Sequence, residues 1–221
     1  MNPVQILMMN QQKSKVLGYG LLYNWYAISN ANFAPTGWKV PTLTEWNTLF
    51  TNVGGTSVAG KHLKESGKTH WDTPGGDNSS NFTALGGALR TVDTSGDSSG
   101  WGNFTGAGNW WTSSETSSTN ASYIGMISTS DAVFNMYNYS KRGGLSVRLL
   151  YTQEGSPTSV TDYDGNVYPV VQIGSQYWIK QNWKCTHLND GTSIPEVTDS
   201  TKWAGLTTGA LCAYDNDWEN V

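Results

Sequence analysis

The chain has 221 residues, of which only 14% are charged, and its 13 basic and 17 acidic residues give a formal net charge of -4. No cluster of Lys or Arg forms a stripe that could neutralise nucleic-acid phosphates, and no apolar run approaches the roughly 20 residues of a membrane span. We therefore expect neither nucleic-acid binding nor a membrane span. The 25 Gly, 11 Trp and 11 Tyr residues predict a folded, loop-rich protein with an aromatic core.

The chain begins with a segment of mixed character. Residues 1–17 combine a short apolar run, 4–9, with Gln and Lys. We interpret residues 1–17 as an N-terminal arm for attachment to a partner, with a disordered tail as the alternative. Residues 18–28 are aromatic and apolar with little charge, which predicts a buried strand.

A short amphipathic helix is predicted next, over residues 41–50. Thr42 is its N-cap and Glu45, three residues later, completes a capping box. Residues 58–65 predict a second helical turn or two. Residues 66–108 are rich in Gly, Ser, Thr, Asp and Asn, but regularly placed apolar side chains predict that this long loop is ordered.

Alternating apolar and polar residues characterise the chain from residue 109 to residue 150. Four runs, 110–114, 121–127, 132–139 and 145–150, predict antiparallel strands. Residues 153–160, with Gly155 and Pro157, predict a linker.

The last sixty residues carry turn signals and both cysteines. Asp164-Gly165-Asn166 predicts a hairpin, and residues 174–176 predict the next turn. Cys185 and Cys212 could pair in an oxidising setting, although two free buried thiols are the favoured interpretation.

Several spaced blocks in both halves of the chain match one known family. They comprise residues 18–27, 35–46 and 144–150 in the first half, and 162–168, 173–179, 189–192 and 209–216 in the second. With these blocks the chain resembles the Fibrobacter succinogenes major paralogous domain. That resemblance implies a C-type-lectin-like fold and an origin in bacterial surface proteins or phage-related proteins.

The two sets of blocks stand in reversed order, because in that family the second set comes first. We interpret this as a circular permutation, in which residue 221 lies near residue 18. The alternative is that each chain lends its last residues to a neighbour in an oligomer. The predicted fold is an α+β, C-type-lectin-like domain with a mainly antiparallel sheet, one or two short helices and long ordered loops. Its parts are an arm (1–17), a main part (18–152), a linker (153–160) and a completing segment (161–221).

Catalysis is not expected from the motifs present. Residues 96–100 fit Gly-x-Ser-x-Gly, but neither a buried strand nor a helix flanks them as that motif requires. His62, His70 and His187 have no metal-ligand spacing. The oxygen-rich runs 162–166 and 214–217 could hold a structural calcium ion, with weak support, so no cofactor is predicted.

The segment from residue 109 to residue 139 is the candidate ligand-binding face. It is rich in Tyr, Ser and Asn, which make adaptable contact surfaces. The candidate ligand-binding residues are Trp110, Ser113, Asn120, Tyr123, Asn135, Tyr137, Asn138 and Tyr139. The segment also resembles the variable region of proteins targeted by diversity-generating retroelements. An ordinary solvated face is the alternative.

These patterns together favour a non-catalytic binding protein. We expect an adhesin or receptor-binding module on a virion or a bacterial cell surface, outside the cell. Its expected partner is a cell-surface protein or a glycan, and it is expected to be a homo-oligomer or to be attached through residues 1–17. The alternative is a structural component of a virion or surface assembly that has no ligand.

Overall fold

The computed structural model describes residues 18–87, 89–92, 99–102 and 105–221, apart from the side chain of Tyr137. The helices are α1 (Trp25–Ile28), α2 (Leu43–Asn52), α3 (Thr56–Leu63) and α4 (Ser200–Ala204), with 3-10 turns at Tyr214–Asn216 and Trp218–Asn220. The strands are β1 (Leu22–Tyr23), β2 (Trp38–Lys39), β3 (Arg90–Val92), β4 (Ser99–Trp101), β5 (Ala107–Glu115), β6 (Asn120–Ile127), β7 (Val133–Ser140), β8 (Leu150–Tyr151), β9 (Ser159–Thr161), β10 (Val167–Ile173), β11 (Gln176–Ile179) and β12 (Leu211–Cys212). The predicted arm and the Gly-x-Ser-x-Gly serine, Ser98, lie outside the described residues.

Helix α2 begins where the sequence predicts. The Thr42 hydroxyl accepts the backbone N–H of Glu45 at 3.2 Å, and the Glu45 carboxylate accepts the backbone N–H of Thr42 at 2.8 Å. The predicted capping box is therefore confirmed. Trp46, Leu49 and Phe50 are buried on one face of the helix. Helix α3 confirms the second predicted helical segment.

The predicted strand over residues 18–28 is only partly correct. Pairing is limited to β1, and the chain then turns into α1. Asn24 causes the change, because its side-chain oxygen accepts the backbone N–H of Ala27 at 3.0 Å and caps the helix. Burial of this segment was predicted correctly, but a local cap replaces strand pairing.

The sheets are mainly antiparallel, which confirms an α+β fold. Five strands pair in the order β2-β8-β11-β10-β9, and three pair in the order β5-β6-β7. Strands β1 and β12 form a two-stranded sheet, as do β3 and β4. The two predicted turns are confirmed: Gly165, at φ +84°, lies between β9 and β10, and Gly174, at φ +61°, lies between β10 and β11. Positive φ is a conformation that glycine adopts without steric cost.

The predicted strand over residues 145–150 is mostly irregular. Only Leu150 joins a named strand, β8, while Leu145 bridges to Tyr23 and Ser146 bridges to Trp110. The segment is buried and serves as a seam between β1 and β5, so its apolar pattern reflects burial more than regular pairing. Ser159 and Val160, from the predicted linker, form part of β9.

Residues 161–221 pack on residues 18–152 of the same chain. Strand β12 pairs with β1, with Leu22 opposite Cys212. The ring centroids of Trp46 and Trp178 are 4.7 Å apart in a shared core. At the two ends of this region, the Tyr19 N–H donates to the Asn220 carbonyl at 3.1 Å. The two segments therefore share one interior in this structure.

Buried cations hold the irregular segments in place. Arg148 is fully buried and donates to the carbonyls of Phe82, Thr83 and Ile179 and to the side-chain oxygen of Asn182. Within residues 66–108, Trp71 and Phe82 are buried, as the ordered-loop prediction requires. Backbone carbonyls of the loop thus receive hydrogen bonds that a regular strand would otherwise supply.

Candidate functional site

The sheet β5-β6-β7 has an inner face that belongs to the core. Trp110, opposite Ile124, is 0% exposed and packs with Trp46 of α2. Its indole N–H donates to the side-chain oxygen of Asn182 at 2.9 Å. Trp110 was predicted as a ligand-binding residue, and this is wrong, because its side chain points to the inner face and fills the core.

Asn135 also turns toward the inner face. Its amide N–H donates to the side-chain oxygen of Asn47 in α2 at 2.8 Å, and its own side-chain oxygen is buried without a partner among the described residues. The side chain holds the sheet against the helix. Its predicted role as an exposed ligand contact is therefore not supported by its position.

The other predicted polar residues are scattered. Ser113 lies at the end of β5, where it lines a cavity of about 340 Å³ with Trp25, Phe33 and Trp38. Asn120 pairs with Ser140 at the far end of the sheet, and Asn138 is exposed at φ +64°. Tyr137 lies in β7, but its side chain is not among the described ones. The structure does not bring these residues together into one surface.

Tyr123 and Tyr139 do come together on the opposite face of the sheet, which we call the outer face, although its end at Trp111 is covered by core residues. The ring centroids of the two tyrosines are 5.1 Å apart, and Tyr139 is 5.9 Å from Trp111. The Tyr139 hydroxyl is buried and has no hydrogen-bond partner among the described residues. Burial raises the pKa of both tyrosines, with Tyr123 adding to the rise at Tyr139. Both hydroxyls therefore stay protonated at neutral pH.

An apolar groove extends from Tyr123 along the outer face. Gly125 is opposite Phe134, and Tyr123 is opposite Met136, so these side chains share one face of the sheet. We call this surface the apolar groove; it has a volume of about 260 Å³ and is lined by Asn109, Tyr123, Gly125, Met126, Ile127, Phe134 and Met136. Ile127 is 39%, Phe134 38% and Met136 41% exposed. Large apolar side chains this exposed and this close together are typical of interaction sites.

The groove was missed by sequence reasoning, apart from Tyr123. The sequence does contain the spacing that defines the groove. Residues 123, 125 and 127 lie two apart in one predicted strand, as do residues 134 and 136 in the next, so each set lies on one face of its strand. Ile, Phe and Met are more often buried than exposed, so this alternation alone does not distinguish an exposed groove from a core face. Choosing between the two faces requires knowing that α2 covers the opposite one.

The groove itself holds little chemistry for catalysis. Among the described residues that line it, Tyr123 is the only titratable one, and burial raises the pKa of its hydroxyl. No group of three or more His, Cys, Asp and Glu able to hold a metal ion occurs in the described part of the chain. Nor is any helix of that part long and apolar enough to cross a membrane.

In the first oxygen-rich run considered for calcium, 162–166, both aspartate carboxylates accept hydrogen bonds from protein donors. Asp162 accepts from the Asn166 N–H at 2.8 Å and the Tyr168 hydroxyl at 2.6 Å. Asp164 accepts from Thr186 and from His187, whose Nδ1 is 2.5 Å away. Their carboxylates therefore fix the hairpin at Gly165 to the loop that follows β11.

The two cysteines are free and buried. Burial raises the pKa of Cys185 to about 12 and that of Cys212 to about 11. A thiol is nucleophilic only as thiolate, so both are chemically quiet at neutral pH.

Comparison with family models gives a match to the Fibrobacter succinogenes major domain over residues 2–150. The chain belongs to this family. Comparisons with curated proteins and with solved structures gave no match.

The family match includes every strand of the apolar groove and the seam at Leu145. It also includes residues 2–17, which the sequence analysis placed outside the family motifs. The matched residues stop at Leu150, so the Fibrobacter succinogenes major domain model does not extend to residues 161–221, although these complete the core in the structure.

Proposed function

We propose that this chain is a non-catalytic binding module that contacts a protein partner through the apolar groove. The observation that carries the proposal is the exposure of Ile127, Phe134 and Met136 around Gly125 on an otherwise well-packed sheet. The proposed setting is the surface of a bacterium or a virion, where the module acts in adhesion or receptor binding on a lectin-like, circularly permuted scaffold.

The chemistry of the groove favours a protein partner over a glycan. Its floor is Gly125 and its walls are the side chains of Phe134, Met136 and Ile127. Such a surface gains binding energy by burying an apolar side chain, at roughly 25 cal/mol for each Å² removed from water. Met adapts its shape to different occupants, and Tyr123 at the rim offers a hydroxyl for orientation.

Gly125→Val tests the proposal without removing any core contact. A Cβ at residue 125 would lie 3.7 Å from the Asn109 side-chain oxygen and 3.9 Å from Met136, which are ordinary contacts. The valine methyl groups would then fill the groove. We expect stability to be unchanged or slightly higher, by up to about 1 kcal/mol, since glycine weakens a strand.

Binding is measured with a random peptide library displayed on filamentous phage and selected on the immobilised protein. We expect the enriched peptides to carry large apolar residues and to lose binding to Gly125→Val and to Phe134→Ser. Val167→Ser is the matched control, because Val167 is a 59% exposed strand residue of the five-stranded sheet. Enriched peptides that bind Gly125→Val as well as the wild type would contradict the proposal.

A second candidate function is assembly without a ligand, and β7 favours it. In the described part of the chain β7 is the last strand of its sheet, so no further strand pairs with its outer edge beside the apolar groove. If the groove serves assembly, Gly125→Val will convert an oligomer to a monomer in sedimentation velocity. If it serves partner binding, the mass will be unchanged while peptide binding is lost.

A further inference from the structure

A second pocket lies at the junction between α2, α3 and β10. Its lining is mainly polar, unlike that of the apolar groove. We call it the His62 pocket; its volume is about 430 Å³, and it is lined by Asn52, Val53, His62, Ser79, Ser80, Asn81, Val171, Gln172 and Ile173. Amide, hydroxyl and imidazole groups form one part of the wall and three aliphatic side chains form the other. The described residues of the lining include no Lys, Arg, Asp or Glu.

The His62 ring is held in one orientation by neighbours of known charge. Its Nδ1 lies 2.8 Å from the Ser79 hydroxyl and 3.2 Å from the Asp77 carboxylate. The Ser79 backbone N–H is the main cause that holds the pKa of Asp77 below its usual range, with the Ser79 hydroxyl and His62 adding to it. Asp77 is therefore ionised at neutral pH and can only accept.

This fixes the position of the histidine proton. An ionised carboxylate beside Nδ1 requires the proton on Nδ1, since two acceptors would repel. Ser79 then accepts at this nitrogen and is not activated as a nucleophile, which argues against hydrolysis by these three residues. Nε2 makes no hydrogen bond to any described residue, so it is available to a ligand.

The loop that lines the pocket is held in a strained conformation. Asn78, Asn81 and Thr83 have φ of +50°, +57° and +56°. Positive φ at the β-branched Thr83 is unfavourable, and such residues concentrate at functional sites.

Side-chain hydrogen bonds support the strained loop. The Asn78 side chain binds both the backbone N–H and the hydroxyl of Thr83, and Arg148 donates to the Thr83 carbonyl at 2.7 Å. The His62 carbonyl also accepts the Ser80 hydroxyl at 2.7 Å. The loop is thereby fixed with Ser79, Ser80 and Asn81 along the pocket wall.

We infer that the His62 pocket binds an uncharged, polyhydroxylated ligand of the size of one sugar residue. A pyranose has hydroxyl groups at its edge and a C–H face, which match the polar and aliphatic parts of the wall. The His62 Nε2 forms a hydrogen bond with a ligand hydroxyl, while the Asn52 and Asn81 amides offer donors and acceptors. Asp77 disfavours an anion, and the lining has no carboxylate to pair with a cation. This inference is independent of the apolar groove.

The test is titration of the full chain with uncharged methyl glycosides of glucose, galactose and mannose and with N-acetylglucosamine, followed by 1H–15N NMR. Glucose 6-phosphate is the anionic comparison. We expect at least one uncharged sugar to shift the Ser80, Asn81 and Gln172 resonances at millimolar concentration, and the phosphate to bind more weakly. Shifts confined to β6 and β7, no shift with any probe, or tighter binding of the phosphate would overturn the inference.

Two variants make the test specific. His62→Asn keeps a donor where Nδ1 faces Asp77 but removes Nε2. We expect roughly tenfold weaker binding of the sugar, because one hydrogen bond is lost and the ligand hydroxyl is left without its partner. Asn81→Gly keeps the positive φ and removes the amide, so it carries the test if His62→Asn fails to fold. Thr48→Ala, on the exposed side of α2, should bind as the wild type does. Unchanged affinity in both pocket variants would refute the site.

Discussion

At the scale of single residues, the fold depends on buried cations that have no carboxylate partner among the described residues. Arg148 donates to three backbone carbonyls and Asn182, and its guanidinium lies 4.7 Å from the Phe82 ring. Arg90 is arranged in the same way between Trp101 and Trp203, and donates to the carbonyls of Val197 and Thr198. Carbonyl dipoles take the place of counter-ions at both sites.

Replacing Arg148 should be severely destabilising. Burial lowers the pKa of Arg148, so the cation is already costly, and the carbonyls of Phe82, Thr83 and Ile179 lose their hydrogen bonds to it when it is removed. For Arg148→Met we expect a loss of about 3 to 5 kcal/mol in the free energy of unfolding, measured by urea denaturation. The loss should be accompanied by broadening of NMR signals from residues 82–83.

Arg142→Met is the matched control. Arg142 is only half-buried six residues earlier in the chain, and we expect a change within about 0.5 kcal/mol. Equal effects of the two substitutions would show that the hydrogen bonds of Arg148 are not the cause.

The contacts of Arg148 and Arg90 could not be predicted from the sequence. An Arg in the pattern Leu-Ser-Val-Arg reads as one charged residue in an apolar run, and its acceptors lie 31 to 66 residues away. The capping box of α2 was found because Thr42 and Glu45 are three residues apart. Contacts within one turn can be predicted from sequence, and contacts between distant loops cannot.

At the scale of elements, the start of α2 makes a pH-dependent contribution to stability. Burial alone would raise the pKa of Glu45, but hydrogen bonds from Lys39 and Thr42 outweigh it and hold the pKa below its ordinary value of 4.5. A lowered pKa in the folded state means that the ionised carboxylate stabilises the fold above about pH 4.5. That contribution is lost as the pH falls through the folded-state pKa.

Glu45→Gln should therefore be less stable than the wild type at neutral pH, by about 0.5 kcal/mol, and equally stable near pH 3. Urea unfolding followed by Trp fluorescence at several pH values measures this difference. Thr42→Ala serves as the comparison, with a loss of about 1 kcal/mol that persists at both pH values. A Glu45→Gln deficit that does not shrink in acid would contradict the assignment.

The strands of the candidate site were predicted better than their orientation. Strands β5, β6 and β7 form where the sequence predicts them, but burial does not alternate along β5, and Trp110 and Tyr123 lie on opposite faces. Trp110 pairs with Ile124, whose side chain lies on the face opposite that of its neighbour Tyr123. A register shift between Ala121 and Tyr123 in the pairing of β6 with β7 then changes which side chains of the two strands share a face. A bulge of this kind reverses which side chains share a face, and it leaves no clear signal in a single sequence.

At the scale of the whole molecule, the last sixty residues support the sheet that carries the apolar groove. Asn182 accepts from the indole N–H of Trp110 in β5 and donates to the Tyr19 carbonyl. Trp178 packs against Trp46, which lies directly under the inner face of the sheet. The groove is therefore built on a core to which both ends of the chain contribute.

The shared blocks of residues predicted that the two parts of the chain belong together. They left open whether residues 161–221 pack on their own chain or on a neighbour, because a family motif carries no information on chain identity. The structure pairs β12 with β1 and β11 with β8 within one chain.

The measurement that tests this account most directly is scanning calorimetry of the full chain over a wide range of protein concentration. One folding unit within one chain predicts a single transition, a ratio of calorimetric to van't Hoff enthalpy of about 1, and a Tm that does not change with concentration. Two resolved transitions would show separate domains, and a Tm that rises with concentration even in the Gly125→Val variant, whose groove is filled, would show that residues 161–221 complete a neighbouring chain. Either result would contradict the account.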